Sequence, residues 1–298
     1  MPTDPPSLAT ALDALEASHD CTVLAARDVG SRAWGLDSER SDYDVAVLFR
    51  QPLVRYATLD EYVPSIETEH GPDLELTGWN VRRFAELLVD SNPSVLEFLH
   101  SPLRYREHDA LASLEADVAG DFEPIRLYHH YRSLAEHQYR KYLERRVLEN
   151  GEPALVVTDE TETQWVGEPV EPQNPSRLPK TDDRYTEGAC DQTVARNLYV
   201  IRAVLSARHV RDTHTFPNLH FPSFLDECEA SGRVDASLLD RVRDLVARKQ
   251  AGEGDAVVGQ VFTPEEVALP EQISPEEHAV GGIATARVNR FVEETFGM

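Results

Sequence analysis

The sequence predicts a mixed-sheet domain followed by an all-helical one, with the sheet-bearing half either α/β or α+β. Three observations carry this. Short apolar, β-branched runs alternate with helical periodicity over roughly the first 118 residues. Long amphipathic stretches dominate the remainder. The 298 residues, of which 41% are hydrophobic, suffice for two domains and a sizeable core. The expected division is 1–118 for the sheet domain and 119–298 for the helical domain, with a proline- and acid-rich insertion at about 151–187.

Each element has a local reason. Residues 7–18 place apolar side chains at helical spacing and predict a first helix. CTVLAA (21–26) is short and β-branched, a buried strand running into the glycine-bracketed turn RDVGSRAWG. SDYDVAVLF (41–49) is a second strand, LVRYATL (53–59) is ambiguous, and DLELTGWNV (73–81) alternates as a third strand. Asn80 is placed to cap the helix RRFAELLVD, and Asn92-Pro93-Ser94 opens another short helix. Residues 121–150 predict one long helix, with Pro124 tolerated in its first turn. Residues 151–187 hold five prolines and many acids without periodicity, and predict a linker or solvated insertion. Residues 190–212 predict a second long helix, with shorter ones after it.

Charge narrows the function. With 53 acidic and 29 basic residues the net charge is −24. That balance disfavours a broad basic face for duplex DNA or anionic lipid. Only three of the basic residues are lysine: Lys141, Lys180 and Lys249. An acidic, lysine-poor surface suits a salt-rich cytoplasm, where the Debye length falls to about 3 Å at 1 M and self-repulsion is screened. A halophilic source explains the charge without invoking function. Cys21, Cys190 and Cys228 form no CxxC pair, so neither a zinc knuckle nor a disulfide framework is expected. The N-terminus has no basic n-region or apolar h-region, and no long apolar run occurs, so a cytoplasmic protein without a membrane span is expected.

The chemistry concentrates in GSRAWGLDSERSDYD (30–44). A strand ends, a Gly-Ser turn opens a short helix, and Asp42-x-Asp44 begins the next strand. Alternate residues on a strand share a face, so Asp42 and Asp44 project together. Two carboxylates on one strand suit divalent cations, and Mg²⁺ favours few protein oxygens supplemented by substrate phosphates. Gly30 lets a phosphate approach the backbone, and the amides after it, with the Ser31 hydroxyl, donate to that phosphate. An acid-x-acid triplet alone carries little in a chain this acidic; the joint pattern of strand, Gly-Ser, ten residues and Asp-x-Asp is far rarer. Phosphate cradle and carboxylate pair together are the equipment for nucleotidyl transfer with two metal ions. Glu75, mid-strand between Leu74 and Leu76, is the best third carboxylate. Arg32 is placed to reach a phosphate from the turn.

GSRAWG…SDYD resembles the signature of the DNA polymerase β nucleotidyltransferase superfamily. ELTGWNVRRFAELLVDSNPSVLEFLHSP, with the later YRSLAEHQYRKYL and LYVIRAVLSAR, resembles the YcgL-like, RNA-repair-pathway-associated (RlaP) family. The resemblance implies an α+β polymerase-β-type palm, a nucleoside triphosphate donor and two Mg²⁺ ions, with Mn²⁺ as a substitute. By matching positions it implies that Gly30 and Ser31 bind phosphate and that Asp42 and Asp44 bind metal. Glu75 and Asn80 stand where the family commonly has aspartates. Arg202 matches an arginine of the family's later helix, with a triphosphate contact as the expectation. The reaction expected is transfer of a nucleoside monophosphate to an acceptor hydroxyl, an RNA end being one acceptor. The alternatives are an antitoxin-like AMP transfer to a protein and a nucleotide-binding sensor without turnover.

Other residues are set against plainer readings. Trp34 is expected to anchor the turn in the core, and Trp79 likewise. The histidines, arginines and tyrosines of 126–142 could line a nucleotide cleft or simply pack a helix. His209, His214 and His220 are irregularly spaced and are expected as surface or loop residues.

Overall fold

A computed structural model describes residues 7–59, 62–118, 120–188, 191–278 and 281–298. Cys190 therefore lies outside the described residues; Cys21 and Cys228 are free thiols. The first part builds a mixed five-stranded sheet, β3-β4-β2-β1-β5. Its strands are β1 (Thr22–Asp28), β2 (Tyr43–Arg50), β3 (Ser65–Glu69), β4 (Leu74–Asn80) and β5 (Arg104–Arg106). β1 and β2 pair antiparallel, and β2 and β4 pair parallel. The parallel crossover leaves β2 central, and its run Val45–Phe49 is fully buried. Burial on both faces explains why β2 is an unbroken apolar run rather than an alternating one.

The helices covering this sheet follow from their caps and stripes. α1 (Leu8–His19) lays Leu8, Leu12 and Leu15 against Val45, Val47 and Phe49. α2 (Val81–Val89) begins where the Asn80 side chain accepts from the Arg82 amide at 3.1 Å. α3 (Pro93–His100) begins where Asn92 accepts from Ser94 at 3.0 Å. Phe84 and Phe98 from these helices meet Ala46 and Leu48 on the other face. Arg27, fully buried on β1, grips Glu107 through two 2.7 Å hydrogen bonds and the Leu99 carbonyl at 2.9 Å. These contacts tie β1 to the chain leading from β5 into α4 (Asp109–Val118).

The second part centres on α5 (Pro124–Tyr142) and α6 (Val194–Thr213), which pack on each other. α7 (Phe221–Ser231) and α8 (Ala236–Arg248) pack against them, and the short α9 (Pro264–Val267) and α10 (Pro275–His278) follow. α11 (Thr285–Thr295) returns to α2 and α4. One core runs across both parts, joining Leu48 and Phe84 to Leu127, Tyr131, Ala207 and Phe291.

Two expectations change between α5 and α6. The helix expected over 121–150 stops at Tyr142, and residues 151–187, expected as a linker or solvated insertion without periodicity, are built of strands. The strands β6 (Arg146–Glu149), β7 (Glu152–Glu160), β8 (Gln164–Pro169), β9 (Arg177–Pro179) and β10 (Tyr185–Glu187) form a second sheet. Its order is β10-β6-β7-β8-β9 and every pairing is antiparallel. The physical reason is the pair Asn150-Gly151, with φ of 53° and 92°, which closes the β6–β7 hairpin. Positive φ at both positions of a two-residue loop is what such a hairpin requires. Pro153, Pro169 and Pro179 sit near strand beginnings and ends, and Pro172 and Pro175 lie in the β8–β9 loop, so none occupies the middle of a strand.

Candidate active site

The site begins at a turn with a purely steric demand. After β1, Gly30 passes directly under the Asp44 side chain, and a Cβ added at Gly30 would overlap the Asp44 carboxylate. Glycine is required there first by Asp44, and only then by any ligand. The Ser31 backbone amide lies close enough to the Asp44 carboxylate to favour its charged form. The Asp44 carbonyl accepts from Val29 at 2.8 Å, which fixes the turn to β2. The carboxylate and the Gly-Ser elbow therefore converge. Residues 31–35 make a single turn rather than the short helix expected, with Trp34 N–H on the Gly30 carbonyl at 3.1 Å.

Asp28 holds this turn from behind. Fully buried, it accepts from the Gly30 and Ala33 amides at 3.0 and 3.3 Å, and from the Tyr105 hydroxyl at 3.3 Å. Burial pushes its carboxyl up to about 6 despite those donors, with nearby Asp44 adding to the rise. Sequence reasoning passed over Asp28. The signal was an aspartate two residues before a turn glycine, the Asx-turn arrangement.

Asp42, Asp44 and Ser31 line a cleft of about 510 Å³ between the first sheet and the helices. Burial raises the Asp44 carboxyl above its ordinary range, and the Asp42 charge raises it further, while the Ser31 amide and Arg32 pull it down. Neither aspartate is in an ion pair among the described residues. Arg202 reaches the cleft from α6, with only 8% of its surface exposed. Its guanidinium lies 3.7 Å from the Trp34 ring and 3.6 Å from Glu97. Trp34 thus forms part of the cleft wall and does not simply anchor the core; Tyr199 meets it edge-on at 6.2 Å. From α5 only Gln138 and Tyr142 reach the cleft, while Tyr128 and Tyr131 are core residues. His220 caps α7 by accepting from the Ser223 amide.

Three expected residues stand outside this lining: Arg32, Glu75 and Gly30, the last buried beneath Asp44. Arg32 donates to the carbonyls of Asp42 at 3.2 Å and Ser41 at 2.6 Å and stacks 3.8 Å over the Tyr43 ring. Its guanidinium braces the approach to the aspartate strand. Glu75 is exposed on β4 in register with Asp44 across the parallel pair, so the two share a sheet face. It does not line the cleft. Among the described residues no group of three or more His, Cys, Asp or Glu is placed to hold a metal ion. The donor set that does converge, two unpaired carboxylates at the start of β2, fits a hard cation completed by ligand oxygens. Asp42 and Asp44 are the residues that would hold it.

The far wall was missed by sequence reasoning. Residues 249–255 follow α8 as a widened turn with Gly252 at φ 86°, and place Lys249, Gly252, Gly254 and Asp255 against the cleft. Its sequence, KQAGEGD, carries the glycine signal of an irregular turn but none of the fixed spacings of a known phosphate loop.

Comparison with protein families matches residues 6–287 to the RNA repair pathway DNA polymerase beta family, RlaP. The chain belongs to the RlaP family. A relative of this RlaP chain is the protein named uncharacterized protein YcgL of Bacillus subtilis (strain 168), 24% identical over 246 residues. That alignment covers 81% of this chain and 75% of YcgL. The mixed sheet with flanking helices agrees with a polymerase-β-like family. No helix among the described residues is long and apolar enough to cross a membrane.

Proposed function

We propose that this RlaP protein is a Mg²⁺-dependent nucleotidyltransferase, moving a nucleoside monophosphate from a nucleoside triphosphate to an acceptor hydroxyl. The observation that carries the proposal is the Asp44 carboxylate packed directly over Gly30, with Ser31 and Asp42 beside it in one cleft. The family's name adds an RNA repair context, and an RNA end entering the cleft is the acceptor we favour. A net charge of −24 fits a short end better than a long duplex footprint.

Divalent cations held by Asp42 and Asp44 supply charge neutralisation for the polyphosphate and raise the acidity of the acceptor hydroxyl. The chain's own part is positional. The Ser31 hydroxyl and its neighbouring amides orient the phosphates on the elbow that Asp28 braces. Trp34, backed by Arg202, offers a flat aromatic wall for the base. The acceptor oxygen bonds to the α-phosphorus, the bond from that phosphorus to the bridging oxygen breaks, and pyrophosphate leaves. Glu75, on the same sheet face as Asp44, is the carboxylate available to take the acceptor's proton.

The test is transfer of label from an α-labelled triphosphate to RNA 3′ ends in the presence of Mg²⁺. Asp42→Ala and Asp44→Ala each lower transfer by about 10³-fold or more while circular dichroism is unchanged. Full turnover in either variant contradicts the assignment. Label recovered on a co-purifying protein would establish the protein-AMP reading, and binding without transfer the sensor reading.

A further inference from the structure

Along α8 the arginines are spoken for. Arg241 pairs with Glu266, Arg243 with Asp226 at 3.0 Å and Glu229 at 2.7 Å, and Arg248 with Glu253 at 3.0 Å. Lys249, one residue on, is different. It is half-buried and lines the cleft, and its ammonium makes no ion pair or hydrogen bond among the described residues. Asp255, on the same wall, does not pair with it. In a chain with 53 acids, a half-buried ammonium without a counter-charge is costly unless an anion arrives.

The turn that presents Lys249 is built to hold it there. Gly254 lies beneath the lysine side chain: a Cβ at 254 would stand 2.8 Å from Lys249 Cδ and 3.2 Å from Nζ. The turn is fastened at both ends of the cleft. Gln250 donates to the Gly35 carbonyl at 2.8 Å, joining it to the Gly-Ser elbow. The Gly254 carbonyl accepts from Ala195 at 2.9 Å, joining it to the first turn of α6. Arg202, by contrast, already has Glu97 and the Trp34 ring as partners.

We infer that Lys249, presented by the 249–254 turn, grips the β- and γ-phosphates of the nucleotide and the pyrophosphate that leaves. The inference rests on the nucleotidyltransferase reading, because the triphosphate is the only strongly anionic part of that substrate. A strongly hydrated point charge on a flexible stem suits a terminal phosphate better than a base. The elbow then holds the polyphosphate from one side and Lys249 from the other.

The experiment is equilibrium binding of ATP, inorganic tripolyphosphate and AMP in Mg²⁺ to wild type, Lys249→Ala, Lys249→Arg and Gly254→Ala. Lys249→Ala is expected to weaken ATP and tripolyphosphate by about tenfold or more and AMP by less than about twofold. Lys249→Arg retains ATP binding within about threefold. Gly254→Ala displaces the ammonium and weakens ATP while keeping the charge. If wild type binds ATP and Lys249→Ala binds it equally well, or loses AMP to the same extent, the inference is wrong and the nucleotidyltransferase reading stands. If wild type binds no triphosphate, both fall together.

Discussion

The two sheets of this protein are opposites. The first is covered on both faces, by α1 on one and by α2 and α3 on the other, and β2 is buried from Val45 to Phe49. The second rests on a core of Val147, Ala154, Leu155, Trp165 and Leu178. Its outside is laced with ion pairs, Arg145 to Glu160 and Glu187, and Lys180 to Glu160. The difference shows where precision is invested. The aspartates that must converge on the elbow sit at the start of the strand that packing holds most rigidly. Surface ion pairs of the other sheet contribute little each, because solvent screens them.

The largest expected effect comes from truncating each core. Leu48→Ala should destabilise the whole chain by about 2–5 kcal/mol and lower its melting temperature. Trp165→Ala should instead release the second sheet locally. Hydrogen exchange would then quicken at β6–β8 while β1 and β2 stay protected. Equal exchange in both sheets, with a single lowered transition, would show that they unfold as one unit and break the contrast.

A smaller effect separates the sheets by pH. Asp28 has its folded carboxyl raised to about 6, so between the unfolded value of 3.8 and 6 the folded state binds more protons. Its contribution is therefore greatest below the unfolded value and is lost as pH rises through about 6, by roughly 3 kcal/mol at most. Asp28→Asn keeps the oxygen that accepts from Gly30 and Ala33, and should flatten that part of the stability-against-pH curve. Glu160 runs the other way. Arg145 and Lys180 hold it down to about 2, so its contribution is present above 4.5 and is lost as pH falls toward 2. Being exposed, it is worth less than about 1 kcal/mol. An Asp28→Asn curve parallel to wild type between pH 4 and 6 would refute the assignment.

The same contrast governs what was legible in the sequence. β1 and β2 were readable because burial demands apolar runs, β4 because it alternates, and α2 and α3 because Asn80 and Asn92 announce their caps. β3 and β5 are short and polar at a sheet edge and gave no pattern. The second sheet was hidden by acids and prolines, since its strands need few buried residues; Asn150-Gly151 was the overlooked sign. At the site, Asp42, Asp44 and Ser31 follow from spacing because the start of one strand and one turn carry them. The reason for Gly30 did not, because the Asp44 carboxylate above it is a tertiary fact. Asp28 and Lys249 required the fold, since burial and the lack of a counter-charge are properties of surroundings.

The central claim is that Asp42 and Asp44 hold divalent cations against a polyphosphate on the Ser31 elbow. Electron paramagnetic resonance of Mn²⁺ titrated into the protein with a non-hydrolysable triphosphate tests it most directly. The account predicts Mn²⁺ bound only when the nucleotide is present, and lost in Asp42→Asn/Asp44→Asn. Unchanged Mn²⁺ and nucleotide binding in that double variant would contradict it.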